Sequence, residues 1–399
     1  MRRVLWLGFG AVLCAGIANA GSGGAATWVP FDSTEPTVSV TAPRPEADQV
    51  RFVVELPGVE LNGIEEGGRH FTAVSVPGAG WIGEPGQPRL AAFRRFVEIP
   101  AGAQASVEAV VLDSETVVLQ ELGLPPVLYP AQLPRPKCDC PEARSWRFSF
   151  SEEAYADRSE HDLVSLEGPF GIRDHRVVKL VVAPLSYEPR GGLLEIATRV
   201  EVVIRFEGGD RDLGASLKAR LGSRHFDAFL MPHTLNMMAA SAGDAAKAAD
   251  WEYPSDAPIR FLIVTPPQFV TALEPFVEWK TSCGFDVTVA TTDVTGTTTT
   301  SIKSYISGLY AGSDPPVYIL MIGDSPSPLP TYEVSSGGNG GTDLPYVQMD
   351  GDLYPDMMIA RWPVDDETEL VNMRDKILFY EQPTAANSAW LNRALFMGG

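Results

Sequence analysis

The sequence predicts a multidomain protein in which an all-β domain, sandwich or barrel-like, precedes an α/β domain with a mainly parallel sheet. Two changes of pattern carry that expectation. Residues 49–208 hold short β-rich runs with period-two alternation, parted by Gly and Pro turns. After Pro258, apolar runs of strand length alternate with stretches of helical spacing, the order of an open α/β sheet. Between them, residues 209–257 are rich in Ala, Asp and Pro and poor in β-branched residues, and read as a linker with short helical turns.

In the β domain the runs are "VRFVVEL", "FTAVSV", "RRFVEIP", "ASVEAVVLD", "RVVKLVVAPLSY" and "TRVEVVIRFEG". The last alternates best, with Val200, Val202, Ile204 and Phe206 on one face and Glu201 and Arg205 on the other. In the α/β domain, "IRFLIVT" is a strand by its continuous apolar run. A helix through Phe276 and Val277 follows, with Pro275 in its first turn, Cys283 a buried structural thiol at its end and Gly284 its stop. "FDVTVA", "VYILMIG" and "DMMIAR" are further strands. Ile302, Tyr305, Ile306 and Leu309 mark one helix and Leu370, Met373, Ile377 and Tyr380 another. "ALFMG" begins a fifth strand, with no helix after it to cover it.

The first residues place Arg2 and Arg3 before an apolar stretch that closes on Ala18-Asn19-Ala20, the order of a secretory signal peptide over residues 1–20. The stretch is shorter than the roughly 20 residues that span a bilayer. An exported protein with no stable membrane span is expected, secreted or at the cell surface, with residues 21–48 a flexible lead-in. A net charge of −20 speaks against nucleic-acid binding, which needs concentrated Lys and Arg. After loss of the signal, Cys138, Cys140 and Cys283 remain, an odd number that leaves at least one thiol without a partner in the chain.

Candidate chemistry is sparse. All five histidines, His70, His161, His175, His225 and His233, precede the α/β domain, so a Cys/His or Ser/His mechanism seated there lacks its base in these residues unless the β domain donates one. Asp324 ends the third strand and reads as a turn or capping residue. Asp343, Asp350, Asp352 and Asp356 lie close together in Gly-containing loops, and such oxygen ligands suit Ca²⁺ as a structural ion; a solvated acidic turn is the alternative. The order is not that of an EF-hand. "GGNGG", Gly337 to Gly341, follows no strand and precedes no helix, so it reads as a mobile connection rather than a phosphate loop.

The runs "FLIVTPPQFVTALEPFVEWKTSCGFDVTVATT", "SIKSYISGLY", "PPVYILMIGDSPSPLP", "TDLPYVQMDGDLYPDMMIARWPV" and "NMRDKILFYE" resemble the first half of the gingipain-type cysteine peptidase domain, peptidase family C25, over about residues 258–399. "GEPGQPRLAAFRRFVEIPAGA" and "RVVKLVVAPLSYEPRGGLLEIATRVEVVIRF" are similar to that family's propeptide, in the family's own order. The resemblance implies a caspase-like fold and an exported cysteine endopeptidase zymogen that hydrolyses proteins. Its partners are protein or peptide substrates and its own propeptide, which covers the active site until the linker is cut. The family's dyad, a His in a Gly-His-Gly loop and a Cys after a later strand, has no counterpart here. No catalytic residue is carried over, and "ALFMGG" reads as a cut just before the dyad. Arg220, Arg224 and Lys247 are candidate processing points. A non-hydrolytic relative acting in surface attachment or protein sorting, or a structural β-sandwich surface module, are the rival readings.

Overall fold

The computed structural model describes residues 26–33, 35–41, 44–45, 48–135, 144–237, 259–326, 328–334, 340–382, 384 and 388–393. The signal segment, Cys138, Cys140, Lys247, most of the "GGNGG" run and the strand expected over 394–398 lie outside the described residues.

The amino-terminal part is built from β1 (Gln49–Glu55), β2 (Gly58–Glu66), β3 (Arg69–Ser75), β4 (Leu90–Glu98), β5 (Gln104–Val118), β6 (Val164–Ile172), β7 (His175–Val182), β8 (Leu185–Glu188) and β9 (Leu193–Glu207). β9 is its spine. One edge pairs antiparallel with β8 and then β1, and the other runs antiparallel to β5. The alternation sets the register: Leu194, Ile196, Val200, Val202 and Ile204 are buried while Glu195 and Arg205 face water. β4, β6 and β7 form a second antiparallel sheet and β2 and β3 part of a third. One core collects Val54, Leu61, Val97, Leu180, Leu185, Ile196 and Val202 from all three.

Two stretches are more ordered than the sequence suggests. In the lead-in, Thr27–Pro30 pairs antiparallel with β2 and Ser39–Val40 with β1, because those strands offer open edges and Val29 and Val40 can cover the core. In the expected linker, α1 (Arg211–Leu221) and α2 (Arg224–Leu230) are formed. Asp210 caps α1 by accepting from the Leu213 amide at 2.9 Å. Leu221, Phe226 and Leu230 are buried, and Asn236 exchanges two hydrogen bonds with the Glu98 backbone, 2.9 and 2.7 Å. The apolar residues recur four apart, Leu213, Leu217 and Leu221 in α1 and Phe226 and Leu230 in α2, and the burial of Leu221, Phe226 and Leu230 holds these short helices down.

The carboxyl-terminal part contains β10 (Ile259–Thr265), α3 (Val270–Ser282), β11 (Phe285–Thr291), α4 (Thr299–Tyr310), β12 (Tyr318–Ile322), β13 (Met358–Trp362) and α5 (Glu367–Glu381). The sheet is parallel throughout, in the order β11-β10-β12-β13. Both faces are covered, which is why its central strands read as unbroken apolar runs. Leu262, Val264, Ile319 and Met321 pack under α4, whereas Ile263, Leu320 and Ile322 pack under α3 and α5. Lys280 and the Trp279 indole on α3 both donate to Glu381 on α5, at 2.8 Å.

Details of α3 differ from expectation. A 3₁₀ turn over Pro267–Phe269 starts the chain winding early, so Pro275 lies inside the helix. Its missing donor falls opposite Thr271, an exposed residue. Gly284, at φ +92°, stops the helix as expected, but Cys283 is exposed, because the cap turns toward solvent before the chain re-enters the sheet.

Candidate functional site

Where the two parts meet, a loop rich in carboxylates is gripped by a hairpin turn. The loop is Gln348 to Asp356, just before β13, and the turn joins β6 to β7 through Arg173 and Asp174. Arg173 is a non-glycine residue held at φ 59° and 6% exposed. A side chain in that region costs about 1–3 kcal/mol and persists when its surroundings demand it. Here they do. The Arg173 amide donates to Asp356 Oδ1 at 2.9 Å, Nη1 donates to the carbonyls of Pro316 (2.9 Å) and Asp356 (3.1 Å), and Nε donates to the Leu221 carbonyl.

The loop is shaped to receive this turn. Asp356, 1% exposed, accepts from the Met349 amide at 2.7 Å with its second oxygen. Asp352 accepts from the Gly171 amide at 2.9 Å and from its own loop at Tyr354, 2.7 Å. Asp350 lies against the Cα of Gly171 so closely that a β-carbon there would overlap its Oδ2. The Tyr354 ring meets Phe96 and Phe170 edge-on, with centroids 5.2 and 4.9 Å apart. Burial pushes the Asp356 carboxyl up to about 6, against the two amide hydrogen bonds, and the neighbouring Asp350 and Asp352 add to the rise.

Nearby, α1 and α2 reach the same edge of the sheet. Arg220 donates to the Tyr310 carbonyl at 2.9 Å, and His225 Nδ1 lies 3.0 Å from the Tyr318 hydroxyl. Burial, with Arg224 beside it, holds the His225 imidazole below its ordinary pKa, which suits it to accept that proton. Of the candidate processing points, Arg220 and Arg224 therefore sit in formed helices. Tyr318, Phe285 and Met358 begin their strands, so the whole contact lies at the amino edge of the sheet.

The carboxyl edge, where ligands of open α/β sheets bind, is arranged differently. Arg361 grips Asp343 through Nε and Nη2, at 2.8 and 2.7 Å, and also donates to the carbonyls of Gly323, Leu329 and Pro330. Asp324 makes the turn expected of it, accepting from the Ser325 amide at 2.8 Å. The four carboxylates expected to share a structural calcium are thus not gathered. Asp343 is committed to Arg361 beyond one end of β13, while Asp350, Asp352 and Asp356 precede its other end, and the strand itself is about 16 Å long. Asp352 and Asp356 each accept from two backbone amides.

A second polar cluster lies wholly in the amino-terminal part. The His175 ring, 5% exposed, has Nδ1 2.7 Å from Glu98 Oε1 and Nε2 2.9 Å from Asp227 Oδ1. Burial opposes its charge, but hydrogen bonds to Asp227 and Glu98 win and push it up to about 10. Lys218 bridges Asp174 and Asp227 at 3.1 and 3.0 Å. Nothing in the sequence joins these five residues beyond the adjacency of Asp174 and His175. A buried histidine on an alternating strand was the one available signal.

Comparison with known proteins gives two adjoining matches. Residues 33–219 match the family model Propeptide_C25, and residues 254–399 match the model of peptidase family C25. Lys-gingipain HG66 of Porphyromonas gingivalis is 29% identical over 377 residues, covering 91% of this chain and 21% of that protein. Gingipain R2 of the same organism is 25% identical over 239 residues, covering 59% of this chain and 31% of that protein. A solved structure bearing on the zymogenic latency of gingipain K from Porphyromonas gingivalis is 26% identical and covers 46% of this chain and all of that one, with a TM-score of 0.41. The chain spans about a fifth of the length of the Lys-gingipains it matches.

Proposed function

The chain belongs to peptidase family C25, as a propeptide followed by a peptidase region, and from that premise we propose that it is the amino-terminal part of an exported cysteine endopeptidase zymogen. The observation that carries the reading is the order of the two matches, together with the grip of the propeptide turn at Arg173 on the peptidase loop at Asp356. In the whole enzyme, with a caspase-like peptidase domain, a thiolate attacks the peptide carbonyl. An imidazole moves the proton and backbone amides hold the oxyanion. The segment over residues 1–20 directs export, and among the described residues no helix is long and apolar enough to cross a membrane. The propeptide, seated on the peptidase region by Arg173, keeps the enzyme latent until the segment between Met237 and Ile259 is cut. The non-hydrolytic alternative has no comparable observation behind it.

The test is to express the complete protein and assay a panel of peptides before and after limited proteolysis. The expected result is latency, release of activity on cleavage between the two matched regions, and loss of that activity on thiol alkylation. Full activity without cleavage, or activity indifferent to alkylation, overturns the reading.

A further inference from the structure

We propose that Asp174, His175 and Asp227 form a binding site for a transition ion of the zinc class, buried within the propeptide. The ligand atoms already face one point: Asp227 Oδ1 lies 2.9 Å and Asp174 Oδ1 3.7 Å from His175 Nε2. Zinc holds imidazole nitrogen and carboxylate oxygen at about 2.0–2.2 Å, so the ligand atoms of a tetrahedral site stand roughly 3.3–3.5 Å apart. The two observed separations bracket that value. Among the described residues this is the trio of His, Cys, Asp or Glu side chains with ligand atoms all within 4.8 Å of one another.

Asp174 supplies an independent observation. Its side chain is 1% exposed; Oδ2 pairs with the Lys218 ammonium at 3.1 Å, while Oδ1 has no hydrogen-bond donor and lies 3.7 Å from the imidazole Nε2. A buried carboxylate oxygen without a hydrogen bond is costly, and a coordinated ion removes the cost.

The surroundings suit such an ion. Glu98 on Nδ1 fixes the ring so that Nε2 faces the two Oδ1 atoms, the carboxylate-histidine-metal arrangement. Lys218 occupies the two Oδ2 atoms and leaves the Oδ1 atoms to the ion. Three carboxylates against one ammonium leave two negative charges around a neutral imidazole, which a divalent ion cancels. On binding, the Nε2 proton of His175 passes to solvent. An imidazole ligand favours zinc or cobalt over calcium or magnesium. The bound ion ties the β6–β7 turn to α2 directly, and to β4 and α1 through Glu98 and Lys218. None of this depends on peptidase activity.

The test uses the 399-residue chain freed of metal by a chelator and titrated with Co²⁺, then with Zn²⁺. One equivalent of Co²⁺ is expected to give a visible band of tetrahedral intensity, which Zn²⁺ abolishes by displacement. Asp174→Asn should lose the band, and Glu98→Gln, which leaves all three ligands in place, should weaken Co²⁺ binding about 10- to 100-fold. His161→Gln, at a histidine outside the trio, should change nothing. Absence of the band in the unaltered chain overturns the proposal, as does an unchanged affinity in folded Glu98→Gln, which decides the matter even where Asp174→Asn fails to fold.

Discussion

At the amino edge of the parallel sheet, Arg173 and Asp356 join residues 183 positions apart across two parts of the molecule; at the carboxyl edge, Arg361 and Asp343, 18 positions apart, join loops of one part. Both arginines hold an acidic residue and backbone carbonyls together. The difference is where the partner comes from. The carboxyl-edge knot is made within the peptidase region alone. The amino-edge lock exists only while the two parts are in contact, and the turn that makes it also carries Asp174 of the second polar cluster. The lock lies at the edge opposite the one where ligands of open α/β sheets bind.

Truncating each arginine should affect the two edges unequally. Arg173→Ala strands the carbonyls of Leu221, Pro316 and Asp356 in a buried site, and each buried acceptor left without its donor costs about 1–3 kcal/mol. Hydrogen exchange on the full chain should show protection lost at both the Gly171–Asp174 turn and the Gln348–Asp356 loop. Arg361→Ala acts on a more exposed site, 11% and 17% for the two side chains of the ion pair, where water can reach the groups left behind, and should cost less in total, about 1–3 kcal/mol. Its loss of protection should be confined to the Gly323–Pro330 and Asp343 segments. Loosening of the propeptide turn by Arg361→Ala would show that the two edges are coupled rather than separate.

Acidity sharpens the same contrast, because Asp356 titrates at the amino edge. Burial pushes its carboxyl up to about 6 from an ordinary 3.8. Between those values the docked form binds more protons than the undocked form. Docking is therefore strongest below about pH 4, weakens as pH rises through about 6, and is level above that. The shift of about two units corresponds to roughly 3 kcal/mol at most. Burial raises Asp350 in the same direction, so the slope is shared. Unfolding of the full chain followed from pH 4 to 7 should show it, and Asp356→Asn should flatten most of it. An increase in stability across that range would refute the assignment.

How much of this was legible in the sequence follows from what each element packs against. β10 and β12 are apolar on both faces and could be placed from composition alone, and β9 shows its buried face by alternation. α1 and α2 do show helical spacing, Leu213, Leu217 and Leu221 in one and Phe226 and Leu230 in the other, but each run is short and the Ala, Asp and Pro around them dominate the composition of residues 209–257. The exposure of Cys283 depends on which way a cap turns. The Asp350–Asp356 loop drew attention through its carboxylates, but their partners are the amides of Gly171 and Arg173, and a backbone amide leaves no mark in a sequence. The Arg-Asp turn also lacks the Asn-Gly signature of a two-residue hairpin. Grouping four acidic residues by proximity in sequence pointed to one ion, whereas β13 separates Asp343 from the rest.

The smallest expected effect discriminates most finely. Gly63 and Gly171 both lie in strands of the propeptide, and neither has the left-handed backbone that excludes a side chain. A methyl group at Gly63 meets nothing within 4 Å, while one at Gly171 overlaps the Asp350 carboxylate. Gly63→Ala should be neutral or slightly stabilising. Gly171→Ala should cost near the lower end of the roughly 1–3 kcal/mol of an overpacked site, since Asp350 can swing away. If that collision is the cause, Asp350→Ala should restore what Gly171→Ala removes, giving a favourable coupling energy in a double-mutant cycle measured by urea unfolding. Simple additivity would mean that the turn and the loop do not touch in solution, and the amino-edge lock would fall with it.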